Sequence, residues 1–167
     1  MQRQYTRDEY MRRIEWMKNA RRPIAITTDI IIGFPGETEH EFQDTLDLLD
    51  EVQYDSLFCF KYSPRPNTPA ISMPDAISEE EKTRRFNVLQ ERQRAIQIRR
   101  NSLLIGAVEE VNVEGRNKAL DQWIGRTSQN RTLNFTSPSA DDLVGTYLPV
   151  RVTRAGPNSL VGEACPT

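Results

Sequence analysis

Apolar positions recur with helical spacing in three stretches of the chain. After Thr6, the residues Tyr10, Ile14 and Met17 fall on one face; after Thr38, Phe42, Leu46 and Leu49 do; after Ser78, Phe86, Leu89, Ile96 and Leu103 recur near heptad spacing. Each stretch opens with the same device, a hydroxyl three residues before a carboxylate: Thr6 with Glu9, Thr38 with Glu41, Ser78 with Glu81. That is the spacing of a capping box, in which side chain and backbone satisfy each other's free N–H groups. The third segment is the longest. It carries Glu79, Glu80 and Glu81 at its start and Arg99 and Arg100 near its end, the order the helix dipole favours. Gln93 and Arg100 stand where a dry coiled-coil seam needs apolar side chains, so this helix is expected to pack within the chain.

Between the first two helices runs the nearly unbroken apolar stretch Ile24 to Ile32, and after the second comes "SLFCFKY", Ser56 to Tyr62. Strand, helix and strand with short connections predict a βαβ unit, hence parallel strands buried on both faces. The loops "GFPGE" and "YSPRPNTPA" leave the carboxyl ends of these strands, the side on which α/β folds bind ligands. From about Gly106 the texture changes. "AVEEVNVEG", "WIGRT", "RTLNF", "YLPVRVTRA" and "SLVGEA" are short β-prone runs separated by Gly, Asn, Asp and Pro. They predict a small closed antiparallel barrel. The expected organisation is an α/β portion over 1–77, a connecting helix over 78–105 and an all-β portion over 106–167.

Composition narrows the function classes. The chain has 167 residues, 37% hydrophobic and 28% charged, as in soluble globular proteins. No apolar run approaches the roughly 20 residues of a membrane span, and "MQRQYTRDEYMRR" lacks the apolar core of a secretory signal, so no membrane partner is expected and the location is expected to be cytoplasmic. A formal charge of -2 gives no general attraction to nucleic acid; RNA contact would need a local patch. Cys59 and Cys165 lie far apart in unrelated contexts and signal neither a disulfide framework nor a metal site. His40 has no partner of a metal or acid–base site near it in sequence and is expected on the surface.

The loop after the first strand carries the candidate chemistry. Gly33 and Gly36 permit positive φ and close backbone approach, Pro35 stiffens the turn, and the helix beginning near Thr38 directs free N–H groups toward the crevice. It is not a phosphate loop: no Gly-Lys-Ser/Thr follows, and Glu37, Glu39 and Glu41 would repel a phosphate. Carboxylates there suit hydroxyls or a cation, so a cofactor with ribose hydroxyls, an amino group and a sulfonium matches better than ATP; a glycine turn with no ligand is the other reading. In the β portion Arg116, Lys118, Arg126, Arg131, Arg151 and Arg154 are interleaved with Asn130, Asn134, Trp123 and Phe135. Cations suit phosphates, and amides and aromatic rings suit unstacked bases, although acids match these cations nearly one for one. Trp123 and Phe135 are expected in the barrel core.

"TDIIIGFPGETEHEFQDTLDLL", "YDSLFCFKYSPRPNTPA" and "GRTSQNRTLNF", in that order, resemble the C-terminal part of the radical S-adenosylmethionine methylthiotransferases, along essentially the whole chain. The resemblance implies the last two strands of a radical SAM partial (β/α) barrel, a long helix and a TRAM domain, the small β-barrel with which the family grips RNA. It places the cofactor beside Asp29, Gly33, Phe34, Pro35, Gly36 and Glu37. Arg65 of "YSPRP" becomes a candidate for the SAM carboxylate or an RNA phosphate. Asn67 stands where the family commonly has Gly, and Asn tolerates the left-handed conformation. On the barrel, the resemblance favours Arg126, Asn130 and Arg131 as RNA-binding residues.

The complete enzyme of this family implies methylthiolation at C2 of N6-isopentenyladenosine beside the anticodon. It uses SAM and two 4Fe–4S clusters, with the tRNA anticodon stem-loop as partner. The family's Cys-x3-Cys-x2-Cys triad has no counterpart in this sequence, and two distant cysteines cannot replace it, so no residue here is assigned a catalytic or metal-ligating role. The chain is therefore expected to need the missing N-terminal portion of the enzyme for radical chemistry. A stand-alone RNA-binding module with an inert half-barrel, or a methylthiotransferase acting on a ribosomal protein, are the alternatives; "GRTSQNRTLNF" resembles the tRNA-acting branch.

Overall fold

A computed structural model describes residues 4–74, 77–139 and 141–166. Its contacts divide the chain into two compact units, Met1–Ile96 and Gln97–Thr167. The boundary falls inside the long helix rather than at either of its ends.

The first unit contains α1 (Arg7–Lys18), β1 (Thr27–Ile32), α2 (Glu39–Val52), β2 (Ser56–Lys61), a 3-10 turn over Pro69–Ser72 and most of α3 (Glu79–Ser102). Thr6 with Glu9 and Thr38 with Glu41 form complete capping boxes. At α3 the Ser78 hydroxyl accepts the Glu81 N–H at 3.1 Å, while the Glu81 carboxylate turns to Arg84 and Arg85. Strands β1 and β2 pair in parallel from Thr27 beside Ser56 to Ile32 beside Lys61. Ile32 is buried on one face, and Ile30, Leu57 and Cys59 pack there too, joining Ile14, Phe42, Leu46, Leu49, Leu89 and Ile96 in one core. Each such Leu or Ile contributes about 1.5–3 kcal/mol by leaving water. Two polar contacts lie inside: the Tyr10 and Tyr54 hydroxyls are 2.6 Å apart, and Gln93 Nε2 donates to the Tyr54 carbonyl at 2.9 Å, while Gln93 Oε1 is buried with no partner among the described residues.

Two features of the sheet depart from the expectation set by the sequence. The strands are not buried on both faces, because this unit's helices cover only one. Asp29, Phe58 and Phe60 lie on the open face, where Asp29 is in register with Phe58 and Ile31 with Phe60. The two rings are 66% and 53% exposed. The strand also begins at Thr27 instead of Ile24, although Ile26 and Asp55 already exchange bonds ahead of it.

The second unit is a closed barrel of β3 (Val108–Asn117), β4 (Gln122–Thr127), β5 (Thr132–Thr136), β6 (Tyr147–Ala155) and β7 (Leu160–Ala164), in the order β3-β4-β5-β7-β6. It is not antiparallel throughout: β5 and β7 run parallel. A closed ring with an odd number of strands cannot alternate direction at every step, so one parallel pair is obligatory. The inward positions Val111, Val113, Trp123, Leu133, Phe135, Val150, Val152 and Leu160 fill the interior, Trp123 and Phe135 among them as expected. Leu103 departs from its expected helical face: α3 ends at Ser102, and Leu103 is 80% exposed.

Candidate functional site

The Gly33–Glu37 loop keeps its shape through its own atoms and through α3. Gly33 and Gly36 have φ of 66° and 85°, a region that favours glycine. The Phe34 carbonyl accepts the Glu37 N–H at 2.8 Å, and the Gly33 N–H donates to Glu37 Oε2 at 2.8 Å. Arg85 of α3 closes the arrangement. Its Nη1 donates to Glu37 Oε2 at 2.7 Å and to the Glu37 carbonyl at 3.0 Å, and its Nε donates to Glu81 Oε1 at 2.8 Å. Arg84 bridges Glu39 and Glu81, each at 2.7 Å, and Glu41 serves the capping box. Glu37, Glu39 and Glu41 are thus all engaged within the chain.

The two loops meet at the carboxyl ends of the strands, where the Tyr62 N–H donates to the Ile32 carbonyl at 2.8 Å. Phe34 packs edge-on to the Tyr62 ring at 5.2 Å, and Pro35 is buried. Lys82, 3% exposed, lies over the same ring at 5.8 Å and binds Glu79 at 3.2 Å. The Tyr62 hydroxyl is buried and meets no hydrogen-bond partner among the described residues. Arg65 is exposed; its carbonyl accepts the Thr68 hydroxyl at 2.8 Å, and Asn67 takes the left-handed conformation with φ of 62°. Sequence reasoning missed Arg85 and Lys82, although the Glu81–Arg85 spacing of one helical turn was visible.

Glu81 also sets a pH response. Hydrogen bonds from Arg84 and then Arg85 hold its carboxyl down to about 2 from 4.5. A carboxylate depressed in the folded state stabilises above its unfolded pKa, and the contribution is lost as pH falls through the folded value. The first unit is therefore expected to lose stability between about pH 4.5 and 2, with a shallower loss in Glu81→Gln. Thermal melts followed by circular dichroism across that window measure it, and identical slopes in both proteins would refute it.

The thiols do not fit an iron–sulfur cluster. Cys59 lies on the core face, where burial pushes its thiol up to about 11, with the Glu37 charge adding to it. Cys165 belongs to the other unit, and among the described residues no three His, Cys, Asp or Glu side chains converge as a metal site. His40 is exposed, 3.6 Å from Asp44.

On the barrel the three candidates differ in kind. Asn130 is the left-handed residue of the β4–β5 turn, with φ of 60° and its N–H donating to the Thr127 carbonyl at 2.8 Å. Arg126 is exposed, its Nε 3.4 Å from Glu114 Oε2 and its Nη1 3.3 Å from the Asn130 carbonyl. Arg131 is half-buried and donates from Nε to Asn101 Oδ1 at 3.1 Å. Asn101 Nδ2 in turn donates to the carbonyls of Gly156 at 2.8 Å and Pro157 at 3.3 Å. Arg131 therefore fastens the end of α3 to the barrel as well as carrying a charge.

Two family models match, the Radical SAM superfamily over residues 1–49 and the TRAM domain over residues 103–165. The chain is 70% identical over 98% of its length to a tRNA-2-methylthio-N(6)-dimethylallyladenosine synthase of Solibacter usitatus. Proteins of the same name from Koribacter versatilis and Geobacter metallireducens are 57% and 47% identical, again over 98% of this chain. The chain spans 36–37% of the length of these curated relatives.

Proposed function

We infer, because the chain belongs to the radical SAM methylthiotransferase family and corresponds to the C-terminal portion of its tRNA-acting members, that it serves the methylthiolation of C2 in N6-isopentenyladenosine beside the anticodon of tRNA. The observation that carries this reading is similarity to those synthases, 47–70% identical, over 98% of the chain and so across both units. The first unit then supplies the closing strands of the radical SAM partial barrel, and the second is the RNA-gripping TRAM barrel. A substrate of this kind puts the work in the cytoplasm.

The first unit suits SAM. Asp29 offers a carboxylate to an ammonium or ribose hydroxyl on the open sheet face, and Phe58 beside it offers a ring to adenine. Gly33, Phe34, Pro35, Gly36 and Glu37 form the loop that leaves the carboxyl end of β1, Glu37 through its hold on the loop. The unpartnered Tyr62 hydroxyl leaves a donor for a polar ligand group, and Arg65 is a cation for a carboxylate. SAM, when bound, supplies the methyl group and the radical source. The 4Fe–4S clusters do not fit the residues here, so their chemistry belongs with cysteines outside this sequence.

The test is binding of the 167-residue chain to an anticodon stem-loop at several salt concentrations. Affinity is expected to fall with salt as counterions are released, and Arg126→Ala to reduce the slope by about one unit. Arg131→Ala is expected to lower the melting temperature as well, because it unfastens Asn101. A chain with no measurable affinity for the stem-loop, or one insensitive to salt, refutes the RNA role.

A further inference from the structure

The RNA role leaves open how bases, as opposed to phosphates, would be held. Interior aromatics cannot do it: of the barrel's three aromatic side chains, Trp123 and Phe135 are 8% and 0% exposed. The third, Tyr147, is 68% exposed at the start of β6. Its register places it directly beside Asn112 of β3, and Asn112 lies directly beside Arg126 of β4. Side chains of directly paired residues share a face, and the neighbours Val111 and Val113 point inward, so Tyr147, Asn112 and Arg126 form one transverse row on the outside. Thr132 of β5 continues it beyond Arg126.

We propose that this row binds one unpaired nucleotide of an RNA, with the Tyr147 ring stacking on the base, the Asn112 amide meeting its edge and Arg126 taking its phosphate. The row spans two strand spacings from Tyr147 to Arg126, about 10 Å between backbones, within which two long side chains converge on one nucleotide. The chemistry is that of single-strand recognition: a π face accepts any base, an amide reads an edge, and a guanidinium grips a phosphate bidentately. Arg126 is available for the last role because its partner Glu114 is half-exposed and 3.4 Å away, and such surface pairs hold weakly. Glu110, exposed on the same face of β3, sits beside Pro149 and leaves Asn112 as the polar centre of the row.

This inference rests on the RNA-binding reading, and its test separates the two. The full chain is titrated with an anticodon stem-loop carrying 2-aminopurine at an unpaired loop position, and anisotropy and quenching are read together. The wild type is expected to quench the probe. Tyr147→Leu is expected to weaken binding about tenfold and remove the quenching, with the salt slope unchanged, because a stacking loss is not a counterion effect. Tyr147→Phe, which keeps the π face, is expected to bind within about twofold of the wild type. Arg126→Ala moves the salt slope instead. Wild-type affinity and quenching in Tyr147→Leu would overturn the row while RNA binding stands, and failure of the wild type to bind would overturn both. The exposure of Tyr147 leaves the barrel core intact in either variant, and unchanged thermal melts confirm it.

Discussion

Gly162→Ala is expected to unfold the C-terminal barrel or to lower its melting temperature by about 15 °C or more. A Cβ at this position would stand 2.4 Å from the Arg151 carbonyl oxygen and 2.8 Å from Val150 Cγ1. The first obstacle is backbone of the neighbouring strand, bonded into the ladder, so relief requires β6 and β7 to move apart. Overpacking of this severity costs about 3 kcal/mol or more. A barrel of this size holds only on the order of 5 kcal/mol in total. Gly125→Ala meets the Asn112 carbonyl oxygen at 2.3 Å and is expected to behave alike. Gly115→Ala is the control, because its Cβ would find only Ile124 Cγ2, at 3.9 Å. Near-ultraviolet circular dichroism of the full chain reports the Trp123 environment. A Gly162→Ala melt that matches Gly115→Ala would show that the strands have slack not seen in the structure.

Arg85→Met is expected to cost the first unit about 3–5 kcal/mol, the range for removing one partner of a buried ion pair. The side chains of Arg85 and Glu37 are only 6% and 12% exposed, so screening by water is slight. Without the guanidinium, the Glu37 carboxylate keeps the Gly33 N–H but loses its charge partner, and the Glu37 carbonyl loses a donor. Adding Glu37→Gln removes the stranded charge, so the double variant is expected to recover part of the loss. Urea unfolding followed by far-ultraviolet circular dichroism measures both. A single-variant loss under about 1 kcal/mol would mean that the pair is dispensable.

The parts of the fold that were legible in the sequence are those fixed by short-range chemistry. Thr6 and Thr38 cap their helices with carboxylates three residues on, and the Gly33 and Gly36 turn needs positive φ whatever surrounds it. What was not legible depends on which side chain another element brings near. In the sequence, Glu37, Glu39 and Glu41 look equivalent; in the fold, Arg85 takes the first, Arg84 the second and Thr38 the third. The apolar run before Gly33 reads as a strand buried on both faces because strand composition does not state how many layers cover it. A parallel pair is implied by five β-prone runs closing a ring, but only the observed strand order makes it β5–β7. Tyr147 was visible inside "YLPVRVTRA", yet only the register against Asn112 makes it a neighbour of Arg126.

The parallel pair also dictates an order of events as the polypeptide is made. Before Leu160–Ala164 is available, the other strands can form only an open sheet in the order β6-β3-β4-β5, with β6 and β5 as bare edges. The last strand joins those edges, antiparallel to β6 and parallel to β5. A nascent chain emerging from the ribosome therefore carries this unit unclosed until its final strand has cleared the exit. Bare edges of that kind are sites for mispairing with other chains. The β3–β6 pairing spans a long stretch of sequence and forms slowly beside the local hairpins, so the ring also stays open until that pairing is made. Synthesis of this unit is thus open to mispairing with neighbouring chains until Leu160–Ala164 joins β5 to β6.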